Sequence, residues 1–582
     1  MHDFVVVGAG TAGCVLASRL TEDPDLSVLL IEAGPSERPL ETRVPAAFSK
    51  LYRGPLDWGY STVPQAELDG REIVFPRGRV VGGTAAMNAM MVLRGHPASY
   101  DAWAADGCPG WAFADVEPAF ARSSDGPFPL AEQRDPSPLS LAFVAAAEKE
   151  GIARADDLNG LETEGVGIVR VSQRRGRRFS VLDGYLRPAQ RRPNLTVVSG
   201  ALVTRILVED GRAVGVAYRL GGREDEEAPA SREVVLAAGA IGSPQLLQLS
   251  GIGPRDLLEG VGVELVHELS GVGANLQDHL ANGLLVRTAG AETLASAESL
   301  RNLARWVLLG RGPLTSNVAE AAAFVRTAGD APEPDLELVF LPVLFEEEGL
   351  KQPTEDGLTL AVVLLRPQSV GTVRIRSGRP EDAPAIDPSY FSDASGADVR
   401  TLLQGLRLAR RVLEHDPLRR YVAEELLPGA SAQTDDELVA HLRAYSQTIY
   451  HPVGTCRMGS GPAAVVDPEL RVHGIAGLRV VDASVMPRVP TGHTNWPTVM
   501  LAERGAELVA RARLADPSYA AVWRTRRQPA RRSCTAAAPT SGSSGSGSSA
   551  GYRTNGRVCG PPIPPWKEMS SSKAQPSSSS GS

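Results

Sequence analysis

The sequence predicts an α/β fold joined to a second, α+β unit that carries its own sheet, the two interleaved along the chain. Three observations predict it. A short apolar strand at 3–7 runs directly into Gly8-Ala9-Gly10-Thr11-Ala12-Gly13 and then into a helix that reaches Arg19 and Leu20. Alternating β patterns recur at 195–198, 203–208 and 214–218, separated by turn residues such as Asp210-Gly211. From about residue 335 the pattern becomes Leu-Glu-Leu-Val-Phe-Leu and then Leu-Thr-Leu-Ala-Val-Val-Leu-Leu, which predicts a separate sheet.

The remaining elements follow in order. A second strand at 27–31 ends in Glu32-Ala33-Gly34, and a Gly/Pro-rich stretch leads to strand-like Ile73-Val74-Phe75. The charged run at 223–227 (Arg-Glu-Asp-Glu-Glu) reads as a solvated hairpin loop, and 234–237 as a buried strand leading to Gly239 and Gly242. Helical spacing appears at 400–413 and 497–514. Beyond about residue 515 come a basic cluster (Arg524, Arg526, Arg527, Arg531, Arg532), a Ser/Gly run at 541–549 and Pro/Ser-rich sequence. Such composition buries too little apolar surface to offset chain entropy, so 515–582 is expected to be disordered, an inert extension rather than a partner-binding tail.

Composition excludes several classes. The chain has 582 residues, 43% hydrophobic and 22% charged, which suits a globular enzyme of more than one structural unit. A net charge of -8 and a pI near 5.8 weigh against nucleic acid or an anionic membrane as the main partner. Cys14, Cys108, Cys456, Cys534 and Cys559 are scattered and form no CxxC pair, so no disulfide framework or zinc site is expected. The first strand starts almost at Met1, so no secretory signal is expected, and no long apolar run predicts a membrane span. A reducing, cytoplasmic compartment is the expectation.

Gly8-x-Gly10-x-x-Gly13 is the pattern of a Rossmann-like turn, in which the backbone approaches a pyrophosphate held at a helix N-terminus. Alone it is weak. Here a strand precedes it, a helix follows, and Glu32 ends the second strand, placed to accept from ribose hydroxyls. The charge of Glu32 would repel a 2′-phosphate, which leaves FAD or NAD rather than NADP. The loop itself does not separate those two.

Three further segments do. Gly78-Arg79-Val80-Val81-Gly82-Gly83-Thr84-Ala85-Ala86-Met87-Asn88 resembles the first signature of the glucose–methanol–choline (GMC) oxidoreductases. Gly242-Ser243-Pro244-Gln245-Leu246-Leu247-Gln248-Leu249-Ser250-Gly251-Ile252-Gly253 resembles the second. The stretch from His451 to Glu507, including Val481-Asp482-Ala483-Ser484, is similar to that family's catalytic region. Smaller echoes are Asp57-Trp58-Gly59-Tyr60 and Asn275-Leu276-Gln277-Asp278-His279.

The resemblance spans roughly residues 2–513. It implies FAD bound across a Rossmann-like domain (1–125, 175–285 and 446–514), with a substrate-binding domain (126–174 and 286–445) roofing the flavin. The implied cofactor-binding residues are Gly8, Gly10, Gly13, Glu32, Arg79, Gly82, Gly83, Asn88, Val203, Asp482, Ala483, Thr494 and Asn495. Some relatives tether FAD through a His just before that Asn. Met87 stands there, so FAD is expected to be noncovalent.

Oxidising an alcohol needs a base for the hydroxyl proton and an acceptor for the hydride, and imidazole suits the first task near neutral pH. The resemblance places His451 of Tyr450-His451-Pro452-Val453-Gly454-Thr455 as that base, with the hydride passing to flavin N5. His493, ten residues before Glu503, takes the second position, which is His or Asn in relatives. Asn495 is the alternative polar partner. Pro497 suits a first helical turn and Thr494 or Asn495 its cap, so His493 is expected beside a helix N-terminus. Trp496 walls the pocket or packs, with packing preferred; His279 reads as structural and Cys456 as a packed thiol. No metal site is expected.

The expected activity is FAD-dependent oxidation of a CH–OH donor, with dehydrogenase favoured over oxidase and a quinone-like or protein acceptor favoured over O2. Cyanohydrin cleavage on the same fold, or flavin binding without turnover, are the alternatives. The roof segments 290–350 and 366–445 offer Phe340 and Phe345, and the acids Glu346, Glu347 and Glu348. Those acids read as a solvated loop, with a quaternary ammonium such as choline as the second reading.

Overall fold

The computed structural model describes residues 1–514, except for the side chains of Glu348 and of residues 512–514. The expectation of disorder over 515–582 lies outside the described residues.

Near-continuous β-branched and aliphatic runs form strands that are covered on both faces, and the first sheet is built on them. Leu195–Ser199, Val28–Glu32, His2–Val7 and Asp225–Leu236 lie side by side in parallel, and Leu478–Val480 pairs with the far side of the last. Val5, Val6, Val28, Leu30, Val234 and Val235 have no solvent exposure. Ala201–Glu209 and Arg212–Leu220 extend this sheet as an antiparallel hairpin on the first half of Asp225–Leu236.

Two expectations need correction here. The 223–227 run is not all loop. The chain turns at Gly221 and Gly222, and Asp225, Glu226 and Glu227 already pair with Arg219, Tyr218 and Ala217. Cross-strand partners satisfy the charges, Arg219 to Asp225 at 2.9 Å and the Tyr218 hydroxyl to Glu226 at 2.8 Å. Ile73-Val74-Phe75 is buried but forms only an isolated bridge, Ser61 to Val74. Pro64 and Pro76 flank that pair, and neither has an N–H with which to continue a ladder.

The second sheet is antiparallel throughout, in the order Val422–Leu427, Leu280–Thr288, Gly357–Leu364, Leu336–Leu341, Ala321–Val325 and Gly165–Ile168. Gln447–Thr448 adds to Leu280–Thr288. Period-two alternation gives it two faces. Leu336, Leu338 and Phe340, with Leu358, Leu360 and Val362, lie under the helices Pro138–Lys149 and Ala397–Leu413. The opposite face carries small residues, among them Ala281, Gly283 and Ala361, and these leave a cavity between this sheet and the first.

The final helix, Asn495–Leu514, closes the described chain against Thr11–Leu20. The buried Glu503 carboxylate accepts from Arg19 (Nε 2.9 Å, Nη2 2.8 Å) and from the Tyr185 hydroxyl (2.7 Å). Among the described residues no helix is long and apolar enough to cross a membrane, and no cluster of His, Cys, Asp or Glu is arranged to hold a metal ion.

Candidate active site

A cavity of about 520 Å3 runs from the first glycine loop to the cavity face of the second sheet. At one end His2–Val7 delivers the chain into Gly8 and the helix Thr11–Leu20. That helix has no side-chain cap and no acid in its first turn, so its leading amides are open to an anionic group. A Cβ built on Gly10 would approach no protein atom closer than 3.9 Å, because it would project into the cavity. Gly83 of the second glycine loop lies against it, and a Cβ there would come within 2.6 Å of Gly10 Cα. The two stacked loops form a cradle that side chains would fill, which suits a pyrophosphate-bearing cofactor.

Around this cradle stand most of the cofactor-binding residues expected from the sequence. Glu32, Asn88, Val203, Asp482, Ala483, Thr494 and Asn495 all line the cavity. The Glu32 carboxylate accepts from the Ala9 and Gly34 amides, both at 2.8 Å, so it holds the glycine loop as well as facing the cavity. Burial pushes its pKa up to about 7. Asp482 accepts from the Gly239 amide (2.9 Å), the Ser243 hydroxyl (2.6 Å) and the Ser484 amide (2.8 Å), which joins the helix Gly239–Leu249 to the C-terminal segment. Asn88 accepts from Arg178 at 2.7 Å, and Asn495 from the Thr11 hydroxyl at 2.9 Å.

Gly13, Gly82 and Arg79 do not line the cavity. Gly13 packs its helix onto the Gly8 carbonyl, Gly82 donates to the Ala9 carbonyl at 2.8 Å, and the exposed Arg79 lies over the Trp58 ring.

At the other end three imidazoles meet. Asn275 to His279 runs antiparallel to 449–454, with Gln277 and Val453 exchanging backbone hydrogen bonds. The buried Asp278 carboxylate accepts from the His451 backbone amide (2.7 Å), the Tyr390 hydroxyl (2.6 Å) and the Thr448 hydroxyl. It pins a turn in which Tyr450 has φ +71°, and burial pushes its own pKa up to about 6.

The His451 and His493 ring centroids are 4.6 Å apart, inclined by 63°, and both rings line the cavity. His493 Nε2 is 3.2 Å from each oxygen of Glu337, whose side chain has no solvent exposure. His279 is wholly buried, with Nε2 3.2 Å from the Leu365 carbonyl and Nδ1 3.0 Å from His451 Nδ1.

These contacts decide the tautomers. Burial and the neighbouring His493 drive the His279 pKa down to about 3, so its ring is neutral. A carbonyl only accepts, so the proton of His279 sits on Nε2 and its Nδ1 offers a lone pair. His451 Nδ1 must therefore donate to it, and His451 Nε2 is left bare. Burial, then His493, His279 and Arg77, hold the His451 pKa well below the ordinary imidazole value. The arrangement is a neutral imidazole with a free lone pair beside a second imidazole backed by a carboxylate.

Sequence profiles of the GMC oxidoreductase family match residues 2–281 (N-terminal part) and 367–502 (C-terminal part). The chain belongs to the GMC oxidoreductase family. An uncharacterised GMC-type oxidoreductase of Mycobacterium tuberculosis is 46% identical over 87% of this chain and 99% of its own length. Alcohol dehydrogenase [acceptor] of Pseudomonas putida is 39% identical over 88% of this chain and 96% of its own. The crystal structure of pyridoxine 4-oxidase superposes with a TM-score of 0.80 at 32% identity, covering 87% of this chain and 99% of that one. This GMC oxidoreductase takes FAD as its cofactor and has the family's FAD-binding and substrate domains.

The other side chains agree with the sequence reading in part. Glu337 was hidden in an apolar strand, although its parity with Val339 and Leu341 marks the cavity face. His279 is buried as a structural histidine would be, yet it touches His451. Of the two roof phenylalanines only Phe345 reaches the cavity; Phe340, on the other parity, stacks on Phe143 beneath the helices. Glu346 and Glu347 stand at the cavity edge, with Glu346 paired to Lys351 at 2.6 Å, so they are not wholly a solvated loop. The Glu348 side chain lies outside the described residues. Trp496 packs between Phe120 and Phe128 and donates to the Ser123 hydroxyl at 2.9 Å. Cys456 is buried, which pushes its thiol pKa far up and leaves it inert.

Proposed function

We propose that this GMC oxidoreductase oxidises an alcohol CH–OH to the carbonyl, with His451 as the base for the hydroxyl proton. The observation that carries this reading is the bare His451 Nε2, held beside His493 in a cavity continuous with the glycine cradle. FAD, when bound, supplies the hydride acceptor at N5. His451 Nε2 takes the hydroxyl proton. His493, backed at Nε2 by Glu337, steadies the same substrate oxygen by donating Nδ1–H to it. Asp278 holds the backbone of His451 so that its ring cannot withdraw.

The cofactor-binding set is Gly8, Gly10, Gly13, Glu32, Arg79, Gly82, Gly83, Asn88, Val203, Asp482, Ala483, Thr494 and Asn495, with the residues off the cavity wall acting through the loops they brace. Met87 is buried at the cavity and offers no nucleophile, so FAD is held noncovalently. Phe48, Tyr52, Leu341 and Phe345 make the nearby wall apolar, which favours an alcohol borne on an aliphatic or aryl group. Similarity to a protein named for a separate acceptor supports dehydrogenase over oxidase behaviour. The free, buried thiols of Cys14, Cys108 and Cys456 suit a reducing cytoplasm.

The test is anaerobic. The purified protein is mixed with choline, benzyl, furfuryl and short aliphatic alcohols while its visible FAD band is followed. One of the alcohols should bleach the band, and air should restore it slowly for a dehydrogenase. His451→Ala should keep the bound FAD and bleach about 10²–10⁴-fold more slowly. A yellow protein that no alcohol bleaches would remove the redox reading, and an alanine variant as fast as the parent would remove His451 as the base.

A further inference from the structure

We propose that the helix Leu300–Leu309, together with the arginine hairpin beside it, is a docking face for an anionic lipid surface. The helix is turned inside out. Leu300, Leu303, Val307 and Leu308 are 85%, 39%, 51% and 79% exposed, and with Ala304 they fall at i, i+3, i+4, i+7 and i+8, a single outward stripe. Only Trp306 is buried, so the helix is anchored by one side chain and spends its apolar surface on solvent.

That anchor is firm. Trp306 is packed with Val44, Ala297 and Leu314, and its indole N–H donates to the Gly176 carbonyl at 2.8 Å. Ser299 caps the N-terminus and Gly310, at φ +59°, ends the helix. A fixed helix that presents a contiguous apolar stripe calls for a partner.

Charge identifies the partner. Gly176 is the turn of Gln173-Arg174-Arg175-Gly176-Arg177-Arg178, whose Arg174 and Arg175 are exposed and whose Arg177 lies over the Trp306 ring at 4.8 Å. The helix and its exit add Arg301, Arg305 and Arg311. Asp135 lies 3.5 Å from both Arg305 and Arg311, and the nearby Glu298 is paired with Lys50. These six arginines therefore lie on this helix, its exit and the hairpin bonded to its anchor, in a chain whose net charge is -8. A polyanion such as RNA would meet the arginines but leave the leucines in water. A second copy of this face would set arginine against arginine. A lipid surface with anionic headgroups meets both, since the stripe enters the acyl boundary while the arginines stay among the headgroups. Ten residues span only about 15 Å, too short to cross a bilayer, so the helix lies in its plane.

The position adds meaning. In the turn Pro45–Leu51, Ala46 and Ala47 pack on the Trp306 cluster while Phe48 lines the active-site cavity. A docked molecule would thus hold its active-site wall next to the membrane.

The test uses the full-length, FAD-loaded protein and sedimentation with vesicles of equal parts phosphatidylglycerol and phosphatidylcholine, against phosphatidylcholine alone. The protein should sediment with the anionic vesicles and bind the neutral ones at least about tenfold more weakly. Leu303→Ser combined with Leu308→Ser should abolish sedimentation, while Arg174→Gln and Arg175→Gln should each weaken it about fivefold at low salt. All variants should keep their FAD absorbance and their turnover with a soluble dye acceptor, since these residues lie outside the cavity. No sedimentation of the parent would overturn the proposal, as would sedimentation that ignores the serine substitutions. A serine variant that converts a parent oligomer to a smaller species, with vesicle binding untouched, would show that a second copy covers the stripe instead.

Discussion

His451 can accept a proton only through a nitrogen that carries none, and that choice is made by His279 rather than by His451 itself. Replacing His279 with Leu removes the acceptor for His451 Nδ1–H, so the ring is free to place its proton on the nitrogen that should be bare. We expect His279→Leu to retain FAD yet lose much of the turnover, up to about 10²–10⁴-fold, the share a general base contributes. His279→Asn offers an oxygen close to where Nδ1 stood and should recover part of that rate. If Leu and Asn behave alike, His279 serves only to pack. The pH profile gives an independent check. The His451 pKa is held well below 6.5 by burial and by His493, His279 and Arg77. A base works while neutral and fails as pH falls through its pKa, so the acid limb of kcat/KM should lie below pH 6.5. At this scale the meeting of His451 and His493 at one cavity was legible, because a motif carries both. Glu337 and the role of His279 were not, since each depends on which atoms meet across more than 150 residues of sequence.

The elements that were legible are those whose pattern has a local cause. The strand, glycine turn and helix at 2–20 repeat the hydrophobic-to-glycine switch that a phosphate cradle needs; the parallel core of the first sheet follows from continuous apolar runs and the second sheet from alternation. Elements that depend on a distant neighbour were lost: proline-bounded Ile73-Val74-Phe75 never becomes a strand, and Leu300–Leu309 carries its apolar side outward, which periodicity alone reads as inward. The cradle makes its own prediction. Gly83 sits at φ +54° and faces Gly10 so closely that a Cβ would stand 2.6 Å from the Gly10 Cα. Backbone on both sides cannot yield as a side chain would. Gly83→Ala should therefore push the two loops apart and close the space for the pyrophosphate. The variant should purify folded by circular dichroism but largely colourless, and added FAD should restore little of the 450-nm-region absorbance. Full FAD occupancy in this variant would mean that the loops do not form the phosphate site.

Chain passages between the two sheets explain why a site built from Gly10, Glu32, Asn88, Glu337, His451 and His493 needs nearly the whole described chain. After the last of these passages comes the helix Asn495–Leu514, whose buried Glu503 ties it to Arg19 of the glycine helix and to Tyr185. Breaking such a buried pair costs about 3–5 kcal/mol, so this helix is bound to the glycine helix rather than hung on it as an appendage. Among the described residues the cavity lining extends no further than Thr498, and the family's C-terminal match ends at residue 502. Ending the chain after Leu514 should therefore leave FAD content, the alcohol-dependent bleaching rate and the melting temperature near those of the full chain, the last within about 2 °C. Differential scanning fluorimetry and the anaerobic titration read all three from one preparation. A truncated protein that melts far lower or loses FAD would mean that residues 515–582 brace the final helix. One that keeps FAD and bleaches normally but no longer passes electrons to its own acceptor would assign those residues to partner recognition.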